Sequence, residues 1–390
     1  MKRLKKSSIL SKYQNMNSGW SSCKEILIIR ADNMGDLIMS SPAIRAVKET
    51  SQSRITVLTS SMAAGIAKQI PEIDDVLVYS LPWVQAKESA RPESFFELVQ
   101  TLKSRKFDGA IVFSVYSQNS QPAAMLAYLA EIPLRLGYSR ENPYELLTHW
   151  VPDPEPFSVI KHQVRRDLDL VAQIGAFTGN ESFVLEHYDE KAWKLTSLKL
   201  RKMGVDTIKP LIVLHAGVSE RKREYPFASW VKFSKSILAT TDCQLLFTGI
   251  GSEKTLTDKL AFAAGENSFS VAGALTLEEF TELIRHSALV VSVNTATVHI
   301  AAAVKTPVMV LYALTNPQHS PWKAFGKLFP FPVPQEIQSK NRIVQYVNER
   351  YFGDFSRIVE PEELVEATLK ILNNELEEIP ELIMIQETTA

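Results

Sequence analysis

The stretch ILIIRADNMGDLIMSSPAIRAVKET, residues 26–50, indicates how this chain folds. The apolar run Ile26–Arg30 predicts a buried strand, and the spacing that follows predicts a helix over 36–50. A strand, loop and helix in this order begin many nucleotide-binding folds, whose loops carry three glycines that let the backbone approach a pyrophosphate. This loop has only Gly35, followed by Asp36. It is not built for that approach, so Asp36 needs another explanation.

The same alternation continues along the first half of the chain. Further candidate strands are Arg54–Thr59, Asp75–Tyr79 and Asp108–Phe113, with candidate helices at 62–70, 92–105 and 120–131. The pattern lapses over 140–159, which is rich in proline and aromatic residues, before a helix at 160–175 and a linker at 179–191. Short apolar runs between helices predict strands buried on both faces of a parallel sheet.

The alternation restarts at residue 211. Candidate strands are Leu211–His215, Cys243–Thr248, Phe269–Val271, Ala288–Val293 and Pro307–Tyr312, and candidate helices are 227–239, 253–264, 276–286 and 296–304. We therefore predict an α/β protein of two doubly wound, Rossmann-like domains, at 24–178 and 190–372. Ligands of such sheets lie beyond the carboxyl ends of the strands, so a cleft between two facing domains is where we expect the chemistry.

Composition narrows the class of protein. A chain of 390 residues suggests two domains, because single cores stop growing at about 250–300 residues. The 43 basic and 44 acidic residues give a net charge of −1, which argues against a partner that is a nucleic acid. The two cysteines form neither a disulfide framework nor a zinc-binding spacing, which fits the cytoplasm. No apolar run approaches the roughly 18 residues of a membrane-spanning helix.

The two ends of the chain differ in charge. Residues 1–23 are basic and lack the apolar core of a signal peptide. They are predicted either as a disordered tail or as a segment in peripheral contact with the anionic inner face of a membrane. Residues 373–390 are acidic and are predicted as a solvated tail.

Polar residues follow the buried strand that is predicted to end at Val293. Asn294 and Thr295 are both good N-caps for the short helix that follows, and the free N–H groups of such a helix suit a phosphate. His299 lies about one turn past Thr295 on the same face, where it could donate to a phosphate oxygen. The alternative is that Asn294 only caps the helix and that His299 is a core histidine.

Two further segments follow strands in the second half. In HAGVSERKREYPFASW, residues 215–230, Gly217 precedes the cation cluster Arg221, Lys222 and Arg223, which is either a solvated face or a clamp for a pyrophosphate. In GIGSEKTL, residues 249–256, Glu253 opens a helix. Its carboxylate could accept hydrogen bonds from ribose hydroxyls, or it could complement the helix dipole.

Taken together, these segments resemble glycosyltransferase family 9, the lipopolysaccharide heptosyltransferase-like family, over residues 24–325. IRADNMGDLIMSSPAIRAVK resembles the family's opening strand, its G-D loop and its T-P-A helix. HAGVSERKREYPFASW resembles its P-G-A-S-x-x-K-R-W-P segment. VAGALTLEEFTELIRHSALVVSVNTATVHIAAAVKTP resembles G-x-x-S-L-x-E-L followed by D-T-G-P-x-H-x-A-A-A.

The resemblance implies a GT-B-like fold whose N-terminal domain binds the acceptor and whose C-terminal domain binds the donor. It implies an inverting transferase without cofactor or metal, acting between a nucleotide-diphosphate sugar, ADP-heptose among them, and a glycolipid or glycan acceptor. Asp36 matches the general base, with Asn33 and Gly35 in the acceptor-side loop. The donor-binding residues that it implies are Gly217, Lys222, Arg223, Glu253, Leu275, Asn294, Thr295, Ala296 and His299.

Two positions depart from the family pattern. Asn294 stands where the family has Asp, and Ala296 where it has Gly, so a negative charge is lost and the donor sugar stays open. The one clear D-x-D, Asp167 and Asp169, lies on a predicted helix where its two members do not share a face, and is predicted to be surface charge.

Two functions of other classes remain as alternatives. A dinucleotide-dependent oxidoreductase would need glycines after the first strand, which residues 30–36 lack. A non-catalytic protein that binds nucleotide sugars would be separated from an enzyme by measuring turnover.

Overall fold

The computed structural model describes residues 19–84, 91–186, 190–352 and 357–381. Within these ranges the chain divides into two compact units, 19–182 and 183–381. Each unit is built around its own six-stranded sheet, and every strand pair in both sheets is parallel.

The first unit alternates strands and helices. Its strands are β1 Glu25–Ile29, β2 Arg54–Thr59, β3 Asp75–Val78, β4 Gly109–Val112, β5 Leu134–Ser139 and β6 His149–Pro152. Its α-helices are α1 Met34–Ser51, α2 Ala64–Ala67, α3 Pro92–Ser104, α4 Gln121–Leu129 and α5 Gln163–Ala172. Short 3₁₀ turns lie at Trp20–Ser22 and Tyr144–Leu146.

The second unit repeats the plan. Its strands are β7 Leu211–His215, β8 Gln244–Phe247, β9 Ser268–Ser270, β10 Leu289–Val293, β11 Val308–Ala313 and β12 Gly326–Phe331. Its α-helices are α6 Glu190–Lys202, α7 Phe227–Thr240, α8 Lys254–Ala264, α9 Leu277–Arg285, α10 Ala296–Ala303, α11 Arg342–Phe352 and α12 Pro361–Leu372. 3₁₀ turns lie at Arg221–Arg223, Gly251–Glu253, Pro317–His319 and Gln335–Ile337.

The two sheets have the same topology. The first has the order β3-β2-β1-β4-β5-β6, and the second, read from its other edge, has the order β9-β8-β7-β10-β11-β12. This is the strand order of Rossmann folds, in which the chain changes direction between the first and fourth strands and ligands bind at that switch point. The predicted fold class, two doubly wound α/β domains, is confirmed. The switch points lie between β1 and β4 and between β7 and β10.

Several elements were missed by the sequence analysis. Strands β5, β6 and β12 were not predicted, and neither were helices α6, α11 and α12. Strand β5 contains Arg135 and Gly137, which break the apolar run, and the Arg135 side chain turns back to donate to the Leu146 carbonyl. Strand β12 contains Pro330, which is tolerated because β12 is the edge strand, next to β11, of the sheet that the described residues form.

Other predicted boundaries shift. Helix α1 begins at Met34, so Gly35 lies in its first turn and not in a loop. Helix α2 is only four residues long, where 62–70 was predicted. The predicted linker is shorter, because α6 already begins at Glu190.

The predicted tails are ordered where the structure describes them. Trp20 is buried and packs so closely on Gly109 that a side chain there would overlap its ring. At the other end Ile379 is buried, and its N–H donates to the Ala324 carbonyl beside the start of β12. The segments 19–23 and 373–381 are therefore not simple solvated tails. The remainder of both predictions falls on residues 1–18 and 382–390, outside the described residues. No helix within the described ranges is long and apolar enough to span a membrane.

Candidate active site

Asp36 lies in the first turn of α1, directly beyond the carboxyl end of β1. One oxygen of its carboxylate accepts from the Asn33 N–H at 3.1 Å, an N-terminal backbone group of the helix. The other lies 3.4 Å from Nη2 of Arg30. A carboxylate at a helix N-terminus is favoured by the helix dipole. Asp36 is therefore held in one orientation at the sheet edge.

Arg30 contacts both carboxylates at this edge of the sheet, those of Asp32 and Asp36. It is fully buried, and its Nη1 lies 3.5 Å from the carboxylate of Asp32, so one guanidinium pairs with two carboxylates. Burial alone would lower the pKa of Arg30, but Asp32, Asp36 and Asp167 outweigh burial and raise it. Burial raises the pKa of Asp32, and Arg30 opposes that rise. Gln118 also donates to Asp32, at 2.6 Å.

Behind this edge, α5 is joined to α1 by a buried hydrogen-bonded group. Ser40, one turn after Asp36, donates to Asp167 on α5 at 2.7 Å, and Gln163 donates to the other oxygen of Asp167 at 2.8 Å. The prediction that Asp167 is surface charge is wrong: it is 1% exposed, and burial raises its pKa to about 6. Asp169 is on the other face of α5, paired with Lys161. Which face of α5 packs on α1 could not be known from the D-x-D motif.

In the second unit, the strand order brings the carboxyl ends of β10, β7 and β8 side by side. Glu253, at the end of the 3₁₀ turn after β8, points its carboxylate across the ends of β7 and β8 and accepts from the Ile250 N–H at 2.7 Å. A Cβ at Gly217 or at Gly249 would overlap this side chain. The two glycines therefore make the space in which Glu253 lies.

The predicted cation cluster is partly neutralised by its own neighbour. Lys222 pairs with Glu220 at 2.6 Å, and Arg223 lies 3.3 Å from the other oxygen of the same carboxylate. Arg223 also donates to the Asn294 carbonyl at 3.2 Å and so crosses from the segment after β7 to the end of β10. The cluster is thus an ordered group and not a freely solvated face. Glu220 was not singled out from the sequence, although it directly precedes the cations.

Asn294 joins two strands and does not cap a helix. Its side-chain oxygen accepts from the Ala313 N–H at 3.2 Å, while its amide donates to the Ala313 carbonyl at 3.2 Å and to Thr315 at 3.3 Å. The residue at the N-cap position of α10 is Thr295. The prediction that Asn294 could cap is wrong because both ends of its amide are used by the end of β11. An aspartate could make only the accepting half of this arrangement.

Two histidines of the second unit follow strands: His299 lies in the helix after β10, and His215 is the last residue of β7. His299 lies one turn into α10, is buried, and packs edge-to-face on Phe183 with ring centroids 6.1 Å apart. His215 ends β7, and its Nδ1 lies 3.0 Å from the Thr248 hydroxyl. Removal from water lowers the pKa of His215 to about 4, so its imidazole is neutral at pH 7. Leu275 is half-buried just before α9.

Sequence comparison decides the family. The sequence model of glycosyltransferase family 9 (heptosyltransferase) matches residues 95–337, which is more than half of the chain. The chain belongs to glycosyltransferase family 9. This confirms the resemblance recognised from its motifs, and the protein is a glycosyltransferase.

Relatives and solved structures agree with this family 9 assignment. Lipopolysaccharide heptosyltransferase 3 of Escherichia coli K12 is 25% identical over 350 residues, covering 87% of this chain and 95% of the relative. The crystal structure of a family 9 glycosyl transferase from Veillonella parvula superposes with a TM-score of 0.70 at 15% identity, covering 90% and 97% of the two chains. The E. coli ADP-heptose lipopolysaccharide heptosyltransferase II superposes with a TM-score of 0.67 at 18% identity, covering 90% and 99%. Both structures share the fold.

In this family 9 chain, each sheet brings together its own set of the predicted residues. Asn33, Gly35 and Asp36 lie together at the end of β1. Gly217, Glu253, Arg223 and the Asn294 backbone lie together at the ends of β7, β8 and β10. Sequence reasoning missed Arg30, Asp32 and Gln118. The one available signal was that Arg30 and Asp32 are charged residues directly after an apolar strand.

Proposed function

We propose that this family 9 glycosyltransferase moves a heptose or a related sugar from a nucleotide-diphosphate sugar to a lipopolysaccharide-type acceptor, with inversion and without a metal ion. The names of its relatives support the substrate classes: a lipopolysaccharide heptosyltransferase and an ADP-heptose-dependent enzyme of the same fold. In this proposal the predicted domain at residues 24–178, which contains Asp36, binds the acceptor, and the predicted domain at residues 190–372 binds the donor. The nucleotide sugar is a co-substrate, and no cofactor is needed.

The observation that carries the proposal is the position of Arg223. Its guanidinium crosses the switch point of the second sheet, between the segment after β7 and the end of β10, next to the N-terminus of α10. A fixed cation and free helix N–H groups at one sheet edge suit the diphosphate of a donor. Thr295 and Ala296 at this N-terminus would contact a phosphate, and His299 would donate to it from one turn further along.

The remaining donor residues fit a nucleoside. The carboxylate of Glu253 can accept hydrogen bonds from two neighbouring ribose hydroxyls, and Gly217 and Gly249 leave the space in which that carboxylate lies. Leu275 supplies an apolar contact. Lys222, paired with Glu220, adds positive charge close to Arg223.

The reaction we propose is a single in-line displacement. Asp36 takes the proton of an acceptor hydroxyl, whose oxygen forms a bond to the anomeric carbon of the donor sugar. The bond between that carbon and the diphosphate oxygen breaks on the opposite face, and its electron pair leaves with the nucleoside diphosphate. Positive charge from Arg223 and the start of α10 stabilises the negative charge that grows on this leaving group.

The test uses the purified full chain with ADP-heptose and lipopolysaccharide from a strain that lacks the outer heptose. We expect ADP release that depends on the acceptor, and a new glycosidic bond whose anomeric configuration, read by NMR, is opposite to that of the donor. Retention of configuration would exclude the single displacement. Release of UDP or GDP from the corresponding sugars, in preference to ADP, would reassign the donor base.

Peripheral membrane contact is a further part of the proposal, because a lipopolysaccharide-type acceptor is a membrane lipid. The basic segment 1–23 would bring the enzyme to the anionic inner face by charge alone, with each cation near the surface adding about 1 kcal/mol. Co-sedimentation with anionic and with neutral vesicles, each at low and high salt, tests this. Equal binding to both would contradict it.

A further inference from the structure

A pocket of about 300 Å³ opens at the switch point of the first sheet. Its floor is formed by the ends of β1 and β4, and its walls by the segment 113–123 and by Trp83. Switch points are where ligands bind in open α/β sheets, and this volume is at the lower end of the range for small-ligand sites. The described residues that line it include neither Asp36 nor any of the proposed donor residues.

Asp32 is the one charged side chain among the described residues that line the pocket. Its carboxylate has four lone-pair directions, of which Gln118 and Arg30 take one each, so capacity remains for two donors. Gln118 is itself fixed, because its oxygen accepts from the Val115 N–H at 3.3 Å while its amide donates to Asp32. The acceptor group therefore has a fixed position.

Trp83 lines the same pocket and gives it an aromatic side chain. Its ring is held edge-to-face by Phe95, with centroids 5.9 Å apart. The face of an indole carries negative charge density, and it attracts the C–H groups on the apolar face of a sugar ring. A carboxylate that accepts from hydroxyls, beside an aromatic wall for C–H groups, is complementary to a carbohydrate.

The negative charge of Asp32 determines which kinds of carbohydrate the pocket can bind. A phosphorylated or acidic sugar would bring a second negative charge next to Asp32, whereas the Arg30 guanidinium is fully buried and already paired with Asp32 and Asp36. A neutral ring with adjacent hydroxyls meets no such repulsion. Because Arg30 links Asp32 to Asp36, a ring bound here lies next to the proposed base.

We propose that this pocket holds one neutral sugar ring of the acceptor, with Asp32 accepting from two of its hydroxyls and Trp83 against its apolar face. This assignment rests on the proposed function and adds to it the acceptor subsite. Asp32 and Trp83 then determine affinity for the acceptor, and Asp36 carries the proton transfer.

The test measures binding of delipidated lipopolysaccharide core oligosaccharide to the full chain by calorimetry, in parallel with binding of ADP. We expect Asp32→Asn and Trp83→Leu each to weaken oligosaccharide binding by tenfold or more and to raise the acceptor KM in step. ADP affinity should stay within twofold. Removing phosphate groups from the oligosaccharide should leave binding to the wild type unchanged or improved.

Matched controls come from the same unit. Asp74→Asn changes a carboxylate at the amino end of β3, the opposite edge of the sheet, and Trp150→Leu changes a partly exposed tryptophan on β6. Both controls should bind the oligosaccharide as the wild type does. Melting curves of all four variants identify any loss of binding that comes from unfolding.

Two outcomes would contradict the inference, and they differ. If the wild type binds and glycosylates the oligosaccharide while Asp32→Asn and Trp83→Leu match it, the pocket assignment alone fails. If the wild type binds ADP but no core oligosaccharide in either form, the proposed acceptor fails and the pocket assignment fails with it.

Discussion

Asp36 is the residue on which the proposed chemistry depends most. In Asp36→Asn the new side chain can still accept from the Asn33 N–H, so the start of α1 should remain intact. The substitution removes the proton acceptor, and we expect kcat to fall by roughly 10²–10⁴-fold. ADP affinity should hardly change. Asp108→Asn is the control, because Asp108 accepts from the backbone of Lys24 and Glu25 at the other end of β1. Turnover near that of the wild type would remove Asp36 as the base.

Arg223 is the residue on which the proposed donor site depends most. Arg223→Ala removes the cation that crosses from β7 to β10, and we expect both weaker donor binding and a lower kcat, since charge on the diphosphate grows in the transition state. Arg223→Lys should recover part of both effects. Arg221→Ala, at an exposed position two residues earlier, should behave as the wild type. If Arg223→Ala keeps kcat/KM within twofold, Lys222 becomes the candidate.

Between elements, Asn294 holds the end of β10 to the end of β11. Asn294→Asp keeps the bond from the Ala313 N–H but sets a carboxylate oxygen against the Ala313 carbonyl, and we expect a loss of about 1–3 kcal/mol in the free energy of unfolding. Urea denaturation measures this loss in the free energy of unfolding. Asn341→Asp should cost less, because Asn341 is exposed and accepts from the Ile343 N–H, which an aspartate also does. Equal losses in the two variants would mean that the hydrogen bonds between Asn294 and Ala313 are not the reason that position 294 carries asparagine.

The contact between α1 and α5 should depend on pH through Asp167. Its pKa rises from 3.8 to about 6 in the folded chain because it is buried, so its contribution to stability is present below about pH 4 and is lost as pH rises through 6. Asp167→Asn imitates the protonated form. It should be near wild type in stability at pH 4 and more stable at pH 8, by on the order of 3 kcal/mol for about two pKa units.

Ser40 and Gln163 can both keep a hydrogen bond to an asparagine at position 167, by rotation of the Ser40 hydroxyl. Asp169→Asn, on the exposed face of the same helix, is the control and should show no such difference between the two pH values. The measurement is chemical denaturation across pH 4–8. Parallel curves for the wild type and Asp167→Asn would show that folding does not raise the pKa of Asp167.

For the molecule as a whole, we predict that transfer survives chelation. The two members of the D-x-D motif are engaged elsewhere, Asp167 with Ser40 and Asp169 with Lys161, and Arg223 offers the positive charge that a divalent ion would otherwise supply. Among the described residues, no group of three or more His, Cys, Asp or Glu could hold a metal ion. Activity lost in EDTA and restored by Mg²⁺ or Mn²⁺ would overturn the prediction.

A donor screen by thermal shift measures how nucleotides stabilise the whole chain. A ligand present at 100 times its Kd adds about 2.7 kcal/mol of stability, whichever groups bind it. We expect ADP to raise Tm more than UDP, GDP or dTDP at equal concentration, and Arg223→Ala to reduce that rise. A larger shift with another nucleotide would change the assigned donor while leaving the fold and family as they are.

By itself the sequence determined the alternation of strands and helices, the two-sheet fold and the family. These follow from short apolar runs and local motifs, and the central strands β1, β4, β7 and β10 are strongly apolar because helices cover both of their faces. The edge strand β12 escaped notice because an edge tolerates Pro330, and β5 because Arg135 and Gly137 interrupt its apolar pattern.

Only the tertiary structure decided which charged groups meet. Ser40 and Asp167 are 127 positions apart in sequence, and Asp32 and Gln118 are 86 apart, yet each pair shares a hydrogen bond. Whether a carboxylate is solvated or buried depends on which helix face packs inward, and that is set by contacts distant along the chain. Local motifs and the family resemblance that they carry therefore pointed to Asp36 and Arg223, but they could not reveal Arg30, the buried state of Asp167, or the pocket beside Asp32.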